Sequence, residues 1–450
     1  MFRKSGVILA TVALVQFMVS LDLSVVNVGL PRIAAGLGFS TLGLTWVIHA
    51  YAVTFGGLLL LGGKAADRYG RRLLLLLGLT VFALASLAGG FAQQPGHLVA
   101  ARAVQGIGAA ALAPAALALL SAAFPDGRAR VRAFGVWAAV NAAGGALGVL
   151  IGGVLTEYAG WRWVMFVSVP MAAAALVMAW RVDDAPPVAD RGPDVAGALL
   201  ATSGMLLLVY GIVRTDIRPV AVAVALLAGF VVVQRRTTRD PLIRFGLAAN
   251  RSVAGANLFN LLAGAAMASA FYFASLYLQQ VLGHGPALTG VMFLPFALAV
   301  VAGAVVAVRL GHRLPGRMLL IAGGLLTAAG FAVFGRISVD GSFTADVLAP
   351  SVIAGFGFGF CLGPVVSIAT AGVADHESGT ASGLLNSSRQ IGAALGLAVL
   401  GTIADRHPGT EGYALGLTLC AALMAAAALI AVTVLPRRVP AITSPQPAHR

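Results

Sequence analysis

Gly63-Lys64-Ala65-Ala66-Asp67-Arg68-Tyr69-Gly70-Arg71-Arg72 separates two long apolar runs, Leu42 to Gly62 and Leu73 to Ala92. About 20 apolar residues span the hydrocarbon layer as a helix, so the ten residues read as a tight hairpin joining two membrane-spanning helices. The hairpin carries Lys64, Arg68, Arg71 and Arg72 against a single acid, Asp67. Lys and Arg in short connections close to helix ends accumulate on the cytoplasmic side of a membrane. The stretch therefore predicts both the class of the protein and the orientation of its neighbours.

Counting outward from it gives fourteen candidate spans, near residues 6–30, 42–62, 73–95, 97–123, 133–156, 163–180, 195–213, 219–234, 253–280, 288–308, 318–335, 347–373, 380–404 and 413–435. An even count places both termini on one side. With the termini inside, 22 of the 30 basic residues fall in cytoplasmic segments, 6 in external loops, and Arg102 and Arg389 within helices. That asymmetry agrees with the orientation of the Gly63 hairpin. Composition points the same way: 59% of residues are hydrophobic and 10% charged, against roughly a quarter charged in soluble domains, and the mean hydropathy is +0.93.

The net charge of +14 is dispersed among short loops rather than gathered on one face, so it fits topology and anionic lipid, not nucleic acid. Cys361 and Cys420 lie inside apolar runs without metal-ligand spacing, which predicts neither a disulfide framework nor a metal site. Met1-Phe2-Arg3-Lys4 opens like a signal peptide, but the run that follows is long enough to span. It is expected to be an uncleaved first helix.

Charge inside the apolar runs is scarce. Asp22 is the one acid in any of the fourteen, and a carboxylate at that depth costs about 2.5–3.5 kcal/mol unless it is neutral, paired or wetted. Arg102, in the fourth run, has no acid nearby in sequence, so its partner must come from another helix or from water. His49, in the second run, is a further titratable group at membrane depth. Polar or aromatic side chains at such depth, Asn27, Trp46, Tyr51, Asn141, Asn257, Gln279, Asn386 and Arg389, are candidates to line a substrate cavity.

The chain also repeats. Residues 308–323 (VRLGHRLPGRMLLIAG) align with 63–78 (GKAADRYGRRLLLLLG), pairing Arg313 with Arg68, Arg317 with Arg72 and Gly323 with Gly78, while His312 stands opposite Asp67. Halves related in this way are common in transporters and place the substrate at their interface. In the fifth run Gly144, Gly148 and Gly152 recur every fourth residue, with Gly153 alongside. Such a stripe lets another helix approach closely.

The Gly63 stretch resembles the signature G-x-x-x-D-R-x-G-R-R between helices 2 and 3 of the major facilitator superfamily, and every named position matches. The fifth run resembles that superfamily's antiporter motif g-x-x-x-G-P-x-x-G-G, except that Val149 stands at the proline; the expected kink and the support for antiport are correspondingly weakened. Gly160-Trp161-Arg162-Trp163 through Pro170, Asp194-Val195-Ala196-Gly197, Tyr277 to Gly283 and Gly379 to Gly392 resemble the fourteen-helix drug:proton antiporter branch. The resemblance implies an all-α major facilitator fold: an N-terminal six-helix bundle over 1–180, linkers and an extra helix pair over 181–250, a C-terminal bundle over 251–436 and a cytoplasmic tail over 437–450.

It further implies export of small hydrophobic or amphipathic molecules in exchange for protons, with helices 1 and 4 adjacent so that Asp22 and Arg102 face each other across a watery cavity. Gly63, Asp67, Arg68, Gly70, Arg71 and Arg72 would form a latch, extended by Asp126 and drawn to the start of the thirteenth run. No zinc-hydrolase run, nucleophile elbow or nucleotide-binding loop occurs, so no enzyme activity and no cofactor are expected. The energy source would be the proton gradient. A monomer in the cell membrane is expected, with both termini cytoplasmic. An importer or facilitator on the same fold is the nearest alternative, and a membrane sensor or lipid-modifying enzyme a remoter one.

Overall fold

The computed structural model describes residues 2–124, 127–182, 194–236, 241–242, 245–371, 373, 378–407 and 409–436. These residues are helical throughout their ordered elements, with no strand among them. Asp126 and the tail 437–450, both part of the sequence-based expectations, lie outside the described residues.

Among the described residues, twelve helices are long and apolar enough to cross a membrane: α1 (Ser5–Leu37), α2 (Leu42–Tyr69), α3 (Arg71–Gly90), α4 (Pro95–Ala123), α5 (Arg132–Ala159), α7 (Val195–Arg214), α8 (Ile217–Arg236), α9 (Arg251–Val281), α10 (Pro286–Leu310), α11 (Gly316–Phe334), α12 (Phe343–Thr370) and α14 (Thr410–Thr433). Two more complete the fourteen runs read from sequence. One, α6 (Trp163–Ala179), is apolar but short. The other, α13 (Ser378–Ala404), is long enough, but Asn386, Ser387, Ser388, Arg389 and Gln390 make its middle polar. The expected count of fourteen spans is thus met by twelve on length and hydropathy.

The packing carries the internal repeat further than the sequence does. In the first half α2 and α3 pack on α4, and α1 packs on α5. In the second, α10 and α11 pack on α12, and α9 packs on α13. Across the halves α2 meets α13 and α5 meets α10, which are equivalent contacts if α1–α6 repeat as α9–α14. The additional pair α7 and α8 pack on each other, and α7 rests against α2 and α13.

Glycine sets how closely α5 approaches α1. A Cβ at Gly144 or Gly148 would lie 2.8 Å from the Phe17 or Leu21 carbonyl oxygen, and one at Gly152 would lie 2.6 Å from that of Val25. Gly153 turns to the other half and abuts the Pro286 carbonyl. With Val149 in place of proline, the α-helix runs unbroken to Val154 and ends in a π-helical turn, Leu155–Ala159.

The hairpin of the opening stretch is tighter than the sequence suggests. Gly63 to Tyr69 continue α2, and α3 begins at Arg71, because the apolar run ends before the helix does. Gly70 alone makes the turn, at φ 103 and ψ 135. Only glycine adopts that region without strain.

Candidate functional site

Asp22 and Arg102 are in direct contact. Arg102 Nη1 donates to Asp22 Oδ2 at 2.7 Å, with Asp22 fully buried and Arg102 2% exposed. The expectation that they would meet across a watery space is corrected: helix packing brings them together. Gly106, one turn beyond Arg102, lets α4 press against α2 at the Tyr51 carbonyl, 2.7 Å from where a Cβ would stand.

Further groups complete the cluster. Arg102 Nε donates to the Val47 carbonyl of α2 at 3.1 Å, and Nη1 also reaches Gln105 Oε1 at 2.9 Å. Gln105 Nε2 donates to Asp22 Oδ1 at 3.2 Å and to Ser86 Oγ of α3 at 2.7 Å. The Ser168 hydroxyl of α6 approaches Asp22 Oδ1 at 3.5 Å. The Tyr51 ring covers the guanidinium, 4.3 Å from its carbon to the ring centroid. Five helices, α1, α2, α3, α4 and α6, therefore converge on one ion pair.

Breaking such a pair by removing one partner leaves an uncompensated buried charge, which costs about 3–5 kcal/mol. Any event that neutralises Asp22 must therefore rearrange this network. Sequence reading did not single out Gln105, Ser86 or Ser168. Gln105 had a usable signal: it stands three residues from Arg102, on the same helix face.

His49 lies apart from this cluster. Its buried ring stands edge-on to Trp46 at 5.7 Å, and among the described residues neither ring nitrogen has a hydrogen-bond partner. Trp46 in turn packs near Tyr210 of α7, with centroids 6.1 Å apart. This tryptophan packs toward the extra helix pair, and Tyr51 is fully buried against Arg102.

The other polar candidates make hydrogen bonds within and between the halves. Asn141 accepts from Gln16 at 2.7 Å and Ser20 at 2.6 Å. Asn257 accepts from Ser388 at 2.9 Å, and Asn386 accepts from Arg389 at 3.2 Å. At the Gly160 end, the Asn27 carbonyl accepts from Ser275 at 3.1 Å, and Gln279 donates to the Val28 carbonyl at 3.0 Å. The Ala287 amide donates to Glu157 at 2.7 Å. The Ser275, Gln279 and Glu157 bonds join the two halves at that end, and Ser387 of α13 donates to the Gly56 carbonyl of α2.

At the Gly70 end, Asp67 Oδ1 lies 3.9 Å from Arg71 Nη2, and Arg71 Nη1 reaches the Ala118 carbonyl of α4 at 3.4 Å. Arg72 donates to the Trp180 carbonyl at 2.8 Å and Lys64 to that of Pro241 at 2.7 Å. Arg68 lies over the Tyr69 ring at 5.5 Å. Gly63 packs beside Pro114 of α4. Among the described residues, no group of three His, Cys, Asp or Glu side chains is placed to hold a metal.

Comparison with known proteins gives this geometry a family. The chain is 40% identical over 408 residues to the puromycin resistance protein Pur8 of Streptomyces alboniger, covering 88% of this chain and 81% of that protein. It is 41% identical over 428 residues to the cephamycin export protein CmcT of Amycolatopsis lactamdurans, covering 91% and 88%. The lincomycin resistance protein of Streptomyces lincolnensis is 32% identical over 445 residues, covering 95% and 92%. A POT family transporter in complex with a thioalcohol-conjugated peptide superposes with a TM-score of 0.71 at 15% identity, over 96% of this chain and 95% of that one, a likeness of fold alone. With the Major Facilitator Superfamily profile matching residues 12–397, this multi-pass membrane chain belongs to that superfamily.

Proposed function

We propose that the chain exports small hydrophobic or amphipathic compounds in exchange for protons, by alternating access. The buried Asp22–Arg102 pair carries the proposal, supported by relatives named for antibiotic resistance or export. Asp22 is the proton carrier. In this reading α6 and α13 also cross the membrane, giving fourteen spans, with both termini and the Gly70 turn cytoplasmic and the Gly160 end outside. The protein acts as a monomer in the cell membrane and takes its energy from the proton gradient.

The arrangement is then closed to the outside, with Asp22 ionised and paired. That is the state left when a proton has departed inward and the cavity awaits substrate. Returned to the outside, Asp22 takes a proton and no longer holds Arg102. The consequence spreads along two helices. Asn27 and Val28, at the outer seal, follow Asp22 on α1, and Val47, held by Arg102, lies on α2 with Gly56, which accepts from α13. The charge on Asp22 is thus linked, through α1 and α2, to the helices that make contacts between the halves. A ligand shifts such an equilibrium only through its differential affinity for the two states, which the ion pair supplies for the proton.

Expression in an efflux-deficient bacterial host tests the export reading. Raised resistance to a subset of amphipathic inhibitors is expected, together with their pH-gradient-dependent uptake by everted membrane vesicles. An unchanged resistance profile with no vesicle uptake contradicts it.

A further inference from the structure

Arg389 is the second base at membrane depth, and its surroundings differ from those of Arg102. The faces of α13 can be assigned from their contacts. Ser387 and Gln390 meet Gly56 of α2. Ser388 and the Arg389 backbone meet Asn257 and Gly264 of α9. Ala394 and Ala398 cluster with Val209 and Val213 of α7. Asn386 and Arg389 occupy the remaining face of α13, between the faces turned to α2 and to α9.

Both are partly buried there. The one hydrogen bond recorded for the guanidinium among the described residues goes to the neutral Asn386 Oδ1, at 3.2 Å. Among the described residues no acid pairs with the guanidinium, and Asp22 is committed to Arg102. An unneutralised charge at this depth is costly, and such residues mark substrate or ion pathways. A guanidinium also presents several donors in a planar fork that matches a carboxylate in a bidentate manner.

We propose that Arg389, positioned by Asn386, is the anion-recognising side chain of the substrate cavity, and that the preferred substrates are amphipathic organic carboxylates. The inference rests on the export reading and narrows its substrate class. The apolar body of such a molecule lies against the hydrophobic walls, and its carboxylate replaces water at Arg389. The Asn257 and Asn260 amides on α9 extend this polar belt, held by the Val253 and Leu385 carbonyls at 2.8 and 2.7 Å.

The test is binding of dansyl-leucine and of its primary amide to the purified full chain, followed by dansyl fluorescence. The two probes share an apolar body and differ in one negative charge. The wild type is expected to bind the acid about ten- to a hundredfold more tightly, as a charge-assisted bond implies. Arg389→Gln abolishes that preference while still binding the amide, which shows the cavity to be folded, and Arg389→Lys keeps part of it. Equal binding of the two probes to the wild type, binding of neither, or a preference retained in Arg389→Gln overturns the assignment. The efflux assay reads the export function separately: with efflux intact and no preference only Arg389 loses its role, and with efflux absent both readings fall.

Discussion

Arg102 Nη1 stands 2.7 Å from Asp22 Oδ2, with both side chains withdrawn from solvent and the Tyr51 ring closing over the guanidinium. A base on α4 and an acid on α1, 80 positions apart, thereby become one electrostatic unit.

Removing the base exposes that unit. Arg102→Ala is expected to lower stability by about 3–5 kcal/mol, since Asp22 is left ionised and buried, and to abolish coupled transport. Arg102→Lys keeps the charge but not the bond from Nε to Val47, so partial activity remains. Adding Asp22→Asn to Arg102→Ala should recover part of the lost stability. Thermal unfolding in detergent reads all three, and a double variant no more stable than Arg102→Ala alone contradicts the pairing.

Much of this was legible in the chain. A charge inside an apolar run is conspicuous because it is expensive, so Asp22 and Arg102 stood out. Ser86 did not, because a serine on a helix satisfies itself on its own backbone, as Ser86 does with Phe82 at 2.7 Å. The runs marked every long helix, while the polar middle of α13 and the brevity of α6 leave twelve described helices that meet both length and hydropathy. Trp46 and Tyr51 were read as cavity candidates, while their packing against Tyr210 of α7 and Arg102 of α4 was not legible, because it is decided by neighbours distant in sequence. The one-residue turn was also hidden, since helix geometry continues past the apolar run to Gly70.

Gly70→Ala forces a side chain into φ 103, a strain of about 1–3 kcal/mol. A lower melting temperature and slower transport are expected, with Gly96→Ala, where nothing lies within 4 Å of the added carbon, as the silent control. Equal melting temperatures for the two variants contradict the account of the turn.

Gly148→Ala drives a methyl group toward the Leu21 carbonyl, one residue from Asp22. Displacement of α1 there should disturb the ion pair, so proton-driven transport is expected to fall more than substrate binding. Loss of both in equal measure would indicate a general packing defect instead.

Orientation is open to labelling, because the native Cys361 and Cys420 are buried. A cysteine at Gly96 should react with an impermeant maleimide on intact cells, and one at the exposed His312 only after permeabilisation. The reverse pattern contradicts the cytoplasmic placement of the Gly70 turn.

The most direct measurement follows protons and substrate together in proteoliposomes that hold purified wild-type or Asp22→Asn protein and an internal pH dye. In the wild type, substrate added on one side should drive proton movement, and a pH gradient should drive substrate uphill. Asp22→Asn should lose both while still exchanging substrate at equal pH. Proton-coupled transport at the wild-type rate in Asp22→Asn would contradict the assignment of Asp22 as the proton carrier.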